Sequence, residues 1–468
     1  MTMLSASAQE DNFIRFLQDS VMINASVSFE VADADSGNII YSYNPDFDLI
    51  PASTMKLITS AAALEMLGPL HTFKTELGYR GVLNNRSGRL TGDIIIKGGG
   101  DPCLGSEYFS YHYGDFIQKW VDAIKDAGIK KIEGRIIADD SYFDYEPVPP
   151  RWLWEDMGVS YGAGVFGLSA FDNICRIKLK VNPGTREVKI IETIPELPGF
   201  SFKCYLQPDS IGENWYVLSV PYSTSGWLSG TIPWDTAAYI LDASIPDPPL
   251  LIADMLHRRL ASAGIKVSGE PSTARKTEYK AVSDMVYITE TSSPLLSVIT
   301  ERLNKESINL YAEHFLKEMG KQFRGEGTNS GGLYVIRGFL SRAGIDTTSL
   351  FLEDGSGLSS RTAISANALT KLLIYMKHNG KYFNEFLYSL PEGGSNGTLS
   401  KFFTDQLFQS NLRAKSGSMT RVRCYAGYFS ARSGKNYAFS ILVNNFRGGS
   451  PYIINNIEAI LKDFILYK

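Results

Sequence analysis

The feature that most constrains this chain is the placement of β-type sequence at both ends, with helical sequence between them. Near the start, Val27–Val31 and Ile39–Tyr43 are rich in β-forming residues and flank a polar turn that contains glycine. Near the end, the runs Ala414–Met419, Cys424–Ala431 and Tyr437–Asn444 have the same character. We therefore predict one mixed α/β core that is assembled from both ends of the chain.

Several other segments have the period and the stop signals of helices. Ser53–Leu67 is dense in Ala, Leu and Met and is followed directly by glycine and proline. Pro294–Met319 and Asn329–Ala343 repeat apolar residues at helical spacing, and Tyr452–Leu466 closes the chain in the same way. We predict one helix for each of these four segments.

The middle of the chain is predicted to be an insertion into this core. From about residue 174 to residue 232 the sequence consists of short β-like runs separated by turn residues, without a helical period. The predicted fold is α/β (α+β): an antiparallel sheet flanked by helices, plus two inserted domains, one of them small and all-β. The predicted boundaries are 10–75 and 286–468 for the core, 76–170 and 241–285 for an inserted α/β domain, and 171–240 for the β-rich domain.

Composition and charge exclude several classes of protein. The chain has 468 residues, of which 44% are apolar and 21% charged, as in ordinary folded proteins. The net charge is −4 and no segment carries a run of basic residues, so we expect no nucleic-acid partner. No apolar run approaches the ~18–20 residues of a membrane span, so no transmembrane segment is expected. Ala6-Ser7-Ala8 resembles the end of a secretory signal that is otherwise absent from this chain, which favours a periplasmic or secreted protein.

The cysteines and histidines do not form a metal-binding pattern. The four cysteines contain no Cys-x-x-Cys pair, and the five histidines have no ligand spacing, so we expect neither a metal nor another cofactor. A bridge between Cys175 and Cys204 in an oxidising compartment and four free buried thiols are both compatible with the sequence. Gly98-Gly99-Gly100 lacks the Gly-Lys-Ser/Thr of a phosphate-binding loop.

A serine and a lysine are placed where they can form a nucleophile and its base. Ser53 and Lys56 are three residues apart, which puts both side chains on one face of the predicted helix. Serine is a poor nucleophile until a base accepts its proton, and a lysine serves when its pKa is lowered by burial or by another cation. The alternative is a surface helix in which Ser53 is only an N-terminal cap.

Two further short motifs follow in the chain. Ser307 and Asn309 offer a second hydroxyl and an amide within a helical pattern. Lys415-Ser416-Gly417-Ser418 places a cation, two hydroxyls and a glycine in a predicted strand, along which a substrate backbone can lie closely. The order Ser-x-x-Lys, Ser-x-Asn, Lys-Ser-Gly is that of penicillin-recognising serine enzymes.

A competing motif fails its structural requirements. Gly393 to Gly397 matches the Gly-x-Ser-x-Gly nucleophile elbow, which needs a preceding strand and a later catalytic histidine. Pro391 precedes the motif, and the last histidine is His378. We therefore predict a turn, or a loop lining a groove, for this segment.

With these motifs in place, the chain resembles the class C low-molecular-mass penicillin-binding proteins, the D-alanyl-D-alanine carboxypeptidase/endopeptidase family. Lys97–Pro102, Asp354–Ser359 and Leu390–Leu399 are also similar to family segments at like positions. The long separation between Ser53 and Ser307 fits as well, because members of this family carry two extra domains there. Class A β-lactamases lack such an insertion and are a poorer match.

The resemblance implies an acyl transfer on peptidoglycan stem peptides that end in D-Ala-D-Ala. Ser53 would be the nucleophile and Lys56 its base, with Lys415 and burial lowering the pKa of Lys56. Ser307 would relay a proton to the leaving amine, and Asn309 would hold a substrate amide. β-Lactams would acylate Ser53 and leave slowly, and endopeptidase activity is compatible with the same site.

The resemblance also implies how the substrate is bound. Lys415, Ser416 and Ser418 would receive the terminal carboxylate, beside Gly417, and backbone N–H groups of Ser53 and Ser418 would form the oxyanion hole. The third motif departs from the usual Lys-Thr-Gly-Thr, because serines replace both threonines, but both hydroxyls remain. We expect activity to survive.

One more pair of residues is suggested for substrate binding. Trp152 and Glu155 lie in a segment similar to one whose acidic residue receives the free amine of the substrate's diamino acid. The alternative is a solvated acidic loop under a tryptophan that packs in the core. For the whole chain, the alternatives to a carboxypeptidase are a β-lactamase-like hydrolase and a non-catalytic cell-wall binding protein with the same fold.

Overall fold

The computed structural model describes residues 12–182, 184–210, 212–234, 238–277 and 284–468. Ala6-Ser7-Ala8, the predicted remnant of a signal, lies outside the described residues. The chain forms two compact units. The first comprises the described residues up to His71 together with Leu295–Gly325 and Asn329–Lys468, and the second comprises Thr72–Pro294 with Glu326–Thr328.

The first unit contains an antiparallel sheet built from both ends of the chain, as predicted. Its strands are β1 (Ser26–Asp33), β2 (Ile39–Tyr43), β16 (Leu412–Met419), β17 (Val422–Ser430) and β18 (Asn436–Asn444). Their spatial order is β16-β17-β18-β1-β2, so that the first strand pairs with the last.

Helices cover both faces of this sheet. The described helices of the unit are α1 (12–18), α2 (Met55–Leu67), α6 (Leu296–Glu306), α7 (Asn309–Arg324), α8 (Asn329–Arg342), α9 (Ala366–Asn379), α10 (Phe383–Ser389) and α11 (Ser450–Tyr467). In β1, Phe29 and Val31 point into an apolar cluster with α1 and α11. The alternate residues Ser28 and Glu30 hydrogen-bond to Ala366 and Asn367 of α9 on the other face. β1 is therefore buried on both faces, but its side chains are apolar on one face and hydrogen-bonded polar groups on the other.

The single helix predicted over Pro294–Met319 is wrong, because two helices occupy this segment. α6 ends at Glu306, and Ser307 then adopts a left-handed conformation with φ 60° before α7 begins at Asn309. No glycine or proline marks the break, so the apolar period continues through it. The break places Ser307 outside both helices.

The second unit contains several sheets. β3 (Lys74–Asn84) and β4 (Arg89–Lys97) form an antiparallel pair at the centre of the largest sheet. Its other strands are β5 (Lys131–Ile132), β6 (Ile136–Asp139), β13 (Lys266–Val267), β14 (Ser272–Thr273) and β15 (Val286–Ser292). The described helices of the unit are α3 (Ser110–Tyr113), α4 (Phe116–Asp126) and α5 (Pro248–Ser262).

The β-like runs predicted for the insertion form two three-stranded sheets. One has the order β12-β7-β8 and the other β10-β11-β9. The strands are β7 (Ile174–Val181), β8 (Val188–Ile194), β9 (Ser201–Asp209), β10 (Asn214–Leu218), β11 (Ser225–Pro233) and β12 (Tyr239–Ser244). One apolar cluster, which includes Ile177, Val217 and Leu228, is shared by both sheets.

Two details of this unit bear on the sequence predictions. β15 pairs with β3 in the second unit, whereas the predicted boundaries assigned residues from 286 onward to the core. Cys103, Cys175, Cys204 and Cys424 are all free cysteines, so the bridge between Cys175 and Cys204 is not formed.

Among the described residues, no helix combines the length and the apolar character that crossing a membrane requires.

Candidate active site

The candidate nucleophile lies at the entrance to α2. A 3-10 turn, Ala52–Thr54, leads directly into the helix, and Ser53 is half-buried within it. Ala52 has φ 45°, a left-handed conformation that costs a non-glycine residue free energy and that the surroundings must maintain. The Thr54 hydroxyl donates to the Pro51 carbonyl at 2.7 Å. The serine is therefore held in a defined turn at the amino end of a buried helix.

Lys56 is completely buried and donates three hydrogen bonds. Its Nζ lies 2.9 Å from Ser53 Oγ, 2.5 Å from Asn309 Oδ1 and 2.8 Å from the carbonyl oxygen of Ser356. An ammonium group has three N–H donors, so these three acceptors satisfy it completely. When the amine is neutral, the acceptors of Asn309 and Ser356 use its two N–H groups, and its lone pair is directed at Ser53.

Burial is the main cause of an unusual pKa at Lys56. It lowers the pKa of this amine from 10.5 to about 7, while the nearby carboxylates of Asp354 and Glu313 oppose the shift. Lys415, which was predicted to lower the pKa of Lys56, is itself affected: burial first, and then repulsion by Lys56, hold the pKa of Lys415 well below its ordinary value.

Lys415 and Ser307 form a second pair beside the first. Lys415 Nζ donates to Ser307 Oγ at 3.0 Å and to the carbonyl oxygen of Ser416 at 2.9 Å. Ser307 reaches this position because its left-handed conformation turns the chain between α6 and α7. The structure thus brings together all five predicted catalytic residues, Ser53, Lys56, Ser307, Asn309 and Lys415.

The strand that carries Lys415 passes very close to the turn of Ser53. A Cβ atom at Gly417 would lie 2.4 Å from the Pro51 carbonyl oxygen and 3.2 Å from the Ser53 nitrogen, so only glycine fits there. β16 is the edge strand of the sheet, and Ser418 is exposed on it. Ser416 is largely buried, and its hydroxyl donates to Thr398 Oγ1 at 2.8 Å. The predicted binding residues of β16 therefore lie along the same cleft as Ser53.

The segment of the competing motif is a loop, as predicted. It follows helix α10 instead of a strand, and its end forms the 3-10 turn Gly397–Leu399. Thr398 of this turn accepts the hydrogen bond from Ser416. The strand-turn-helix arrangement of a nucleophile elbow is therefore not present at this segment.

Sequence reasoning assigned no role to two groups that support Lys56. The loop from Asp354 to Ser359 contributes the Ser356 carbonyl, and the buried Glu313 carboxylate accepts the N–H groups of Gly355 and Ser356. Gly357 has φ 77°, and a Cβ atom there would lie 1.9 Å from the Ala52 carbonyl oxygen. The Asp-Gly-Ser-Gly run is typical of a tight loop and could have indicated one, whereas no pattern points to Glu313, which lies in an ordinary helical period.

The two residues predicted for the diamino acid lie in the second unit. Trp152 is buried with 6% of its surface exposed, and Glu155 is exposed in the 3-10 turn Trp154–Asp156. The neighbouring Trp154 is 62% exposed.

The sheet covered by helices, and the half-buried Ser53 with the buried Lys56 beside an edge strand of that sheet, define the class of penicillin-recognising serine enzymes. The family model described as D-Ala-D-Ala carboxypeptidase 3 (S13) matches residues 9–462. The chain belongs to this family and is a serine-type D-Ala-D-Ala carboxypeptidase. It is 28% identical to a D-alanyl-D-alanine carboxypeptidase from Actinomadura sp., over 95% of this chain and 82% of that protein.

Two solved structures show how far the fold is shared. Penicillin binding protein 4 from Haemophilus influenzae has a TM-score of 0.85 at 22% identity, covering 98% of this chain and 99% of that chain. A predatory peptidoglycan endopeptidase from Bdellovibrio bacteriovorus has a TM-score of 0.52 at 16% identity, covering 95% of this chain and 93% of that chain. The predicted class of fold is confirmed.

Proposed function

We propose that this enzyme removes the terminal D-alanine from peptidoglycan stem peptides through an acyl-enzyme on Ser53. The observation that carries this proposal is the buried Lys56 amine at 2.9 Å from Ser53 Oγ, because burial keeps its pKa near 7. A neutral amine in this position is a base that is available at physiological pH.

Acylation begins when the Lys56 amine takes the proton of the Ser53 hydroxyl. The Ser53 oxygen forms a bond to the carbonyl carbon of the penultimate D-alanine, whose oxygen becomes an oxyanion. Backbone N–H groups of Ser53 and Ser418 stabilise this charge, and Asn309 orients the substrate. The position of Ser53 at the amino end of α2 supports this role, because the first N–H groups of a helix lack partners within it.

The tetrahedral intermediate then collapses with loss of the terminal amino acid. The C–N bond breaks, and its nitrogen takes a proton that passes from Lys56 through Ser307. Lys415 supports this step, because its Nζ donates a hydrogen bond to Ser307 Oγ at 3.0 Å. Water then attacks the ester carbon, its proton returns through the same bases, and Ser53 is released as an alcohol.

Recognition of a free carboxylate follows from the residues of β16. A bound carboxylate would favour the protonated form of Lys415, whose positive charge would then attract it. The hydroxyls of Ser416 and Ser418 would supply hydrogen bonds, that of Ser416 by turning from Thr398, with Gly417 giving the substrate room. The edge position of β16 allows an extended peptide to lie beside it. This arrangement favours carboxypeptidase action over cleavage within a peptide.

Several finer assignments belong to the same proposal. β-Lactams would acylate Ser53 and persist, as the name of the Haemophilus protein suggests for that relative. Endopeptidase action on cross-links is a second candidate activity, favoured by the shared fold with the Bdellovibrio endopeptidase. A periplasmic or secreted location agrees with a substrate in the cell wall.

We also propose that the second unit consists of two domains and contributes to substrate selection. The predicted boundaries remain those given above, with three changes that keep strands whole. All of β3 and β15 belong to the inserted α/β domain, because they pair with each other, and all of β12 belongs to the β-rich domain, because it pairs with β7. Within this unit, Glu155 would receive the free amine of the stem-peptide diamino acid. Its exposed carboxylate supports this role, and the exposed side chain of Trp154 offers an apolar surface beside it.

The test is covalent labelling followed by peptide mapping. Incubation with a fluorescent penicillin is expected to add one drug mass to the peptide that contains Ser53, and Ser53→Ala is expected to abolish the label. Hydrolysis of a D-Ala-D-Ala peptide should be lost in the same variant, while its circular dichroism spectrum stays that of the parent.

The alternatives give different results in this experiment. Rapid turnover of the drug without a persistent adduct would indicate a β-lactamase-like hydrolase. A folded protein that neither binds penicillin covalently nor cleaves the peptide would indicate a non-catalytic wall-binding protein. A label that remains in Ser53→Ala would overturn the assignment of the nucleophile.

A further inference from the structure

Lys56 donates a hydrogen bond to a loop that a single buried carboxylate holds in place. The side chain of Glu313 accepts the N–H of Gly355 at 3.0 Å and the N–H of Ser356 at 2.7 Å. The carbonyl of this same Ser356 accepts the hydrogen bond from Lys56 Nζ at 2.8 Å. One residue, Ser356, thus connects the two side chains, because its N–H binds Glu313 and its carbonyl binds Lys56.

The connection is rigid because both helices next to the site contribute to it. Glu313 lies four residues after Asn309 on α7, so both side chains project from the same face. On α2, Thr59 follows Lys56 by three residues, and its hydroxyl donates to the Gly355 carbonyl at 2.6 Å. The peptide at Gly355 is therefore held by one side chain from each helix.

The loop closes on itself around a second buried carboxylate. Asp354 accepts the N–H groups of Gly357 and Ser359 and the hydroxyl of Thr362. Asp354 thus fixes the shape of the loop, whereas Glu313 fixes the position of the loop relative to Lys56.

Charged groups from several elements face Lys56 and Glu313. Lys56 itself comes from α2, Lys415 from β16 and Asp354 from the loop. His314, Lys317 and Glu318 are further buried titratable residues of α7, and Glu318 lies 3.2 Å from His71 Nε2. Burial first, and then the charge of Asp354, raise the pKa of Glu313 from 4.5 to about 7. Two carboxyl groups and two amines therefore share one desolvated region.

We propose that Glu313 is a positioning residue for the general base: its buried carboxylate fixes the Ser356 carbonyl against the Lys56 amine and balances the charge of that amine when it is protonated. This inference rests on the proposed role of Lys56. It assigns to Glu313 both a geometric contribution, through the backbone N–H groups it holds, and an electrostatic contribution, through the negative charge of its ionised form, which a protonated Lys56 favours.

Two substitutions separate these contributions. Glu313→Gln keeps an acceptor for the backbone N–H groups but removes the charge, so the ammonium of Lys56 loses stabilisation and its pKa falls. Glu313→Asp keeps the charge but withdraws the carboxylate from the loop, so the orientation of Lys56 is impaired.

The measurement is the rate of acylation of Ser53 by a fluorescent penicillin between about pH 5 and about pH 9. For Glu313→Gln, the midpoint of the acid limb is expected to fall by about one pH unit. For Glu313→Asp, we expect an unshifted midpoint and a plateau rate that is lower than that of the parent enzyme by about 10-fold. A merely structural role would not move the midpoint.

Glu318→Gln is the matched control. Glu318 is another buried carboxylate of α7, and it lies 3.2 Å from His71 Nε2 and accepts a hydrogen bond from Gln322 Nε2 at 2.8 Å. This variant is expected to keep the midpoint of the parent enzyme.

An unshifted midpoint in folded Glu313→Gln would overturn the inference. If that variant does not fold, Glu313→Asp decides the question, and a plateau equal to that of the parent enzyme would overturn it. Peptide mapping of the parent enzyme is done first. A parent enzyme without a label on Ser53 refutes the proposed function. If the parent enzyme is labelled on Ser53 but Glu313→Gln has the same midpoint as the parent, only the role of Glu313 is refuted.

Discussion

At the scale of single residues, the chemistry depends on amines that folding has made unusually weak bases. Lys56 and Lys415 are both completely buried, and in each case burial is the main cause of the lowered pKa. Desolvation favours the neutral form of an amine, which is the form that accepts a proton. Burial thereby makes Lys56 a base at neutral pH.

The pH dependence of acylation follows from this shift. Because the pKa of Lys56 is lowered to about 7, the amine is neutral above this pH and becomes protonated as the pH falls through it. We expect the acylation rate to decline about tenfold for each pH unit below the midpoint. Stopped-flow labelling with a fluorescent penicillin measures this, and circular dichroism at each pH serves as the control. A constant rate through this range in folded protein would contradict the role of Lys56.

The residues that sequence could identify are those whose spacing is local. Ser53 and Lys56 were found because three residues separate them within one helix. Glu313 was not, because the N–H groups it accepts belong to a loop 42 residues later. The sequence also could not show that burial is the main cause of the lowered pKa of Lys56, because burial depends on how α2 packs and not on the sequence of α2 alone.

At the scale of elements, the site is made by the close approach of β16 to the turn before α2. Strands at the chain ends and the helix over Ser53–Leu67 were predictable, because alternation, helical period and the final glycine mark them. The break at Ser307 was not, because nothing in Ser-Ile-Asn favours a left-handed residue. That conformation places Ser307 within 3.0 Å of Lys415 Nζ.

Gly417→Ala tests the approach of β16. The added methyl group would lie 2.4 Å from the Pro51 carbonyl oxygen, so the strand or the turn must move. We expect acylation to slow by about 10²-fold, because displacements of about 1 Å have effects of this size. Labelling kinetics measure the change.

Gly338→Ala is the control for this prediction. Gly338 lies in α8, where a Cβ atom would be 3.6 Å from the Arg342 side chain, an ordinary contact. This variant is expected to acylate at the parent rate. A Gly417→Ala enzyme as fast as this control would show that the close approach is not needed.

At the scale of the whole molecule, the catalytic unit depends on contacts between the beginning and the end of the chain. Phe464 of α11 packs its ring against Phe29 of β1, with centroids 5.8 Å apart and planes at 87°. It also contacts Tyr41 of β2 at 5.8 Å. The sequence predicted that these ends belong to one core, but not which side chains meet, because register is set by packing.

Phe464→Ala is expected to destabilise this unit by about 3–5 kcal/mol, the usual cost of removing a buried phenylalanine ring. Urea denaturation, followed by the loss of penicillin labelling, reports on the catalytic unit specifically. Tyr467→Ala in the same helix removes a ring that is 52% exposed and should leave the midpoint unchanged. Equal midpoints for both variants would show that the chain ends do not stabilise the unit as described.

The pairing of β1 with β18 also has a consequence for biosynthesis. Ser26 and Asn444 face each other in the sheet although more than 400 residues separate them. At a translation rate of about 5–20 residues per second, the ribosome needs tens of seconds to supply the last strand after the first. Thr72–Pro294, which is the second unit apart from Glu326–Thr328, is synthesised as one continuous stretch within this interval, so nearly all of that unit is available before the catalytic sheet can close.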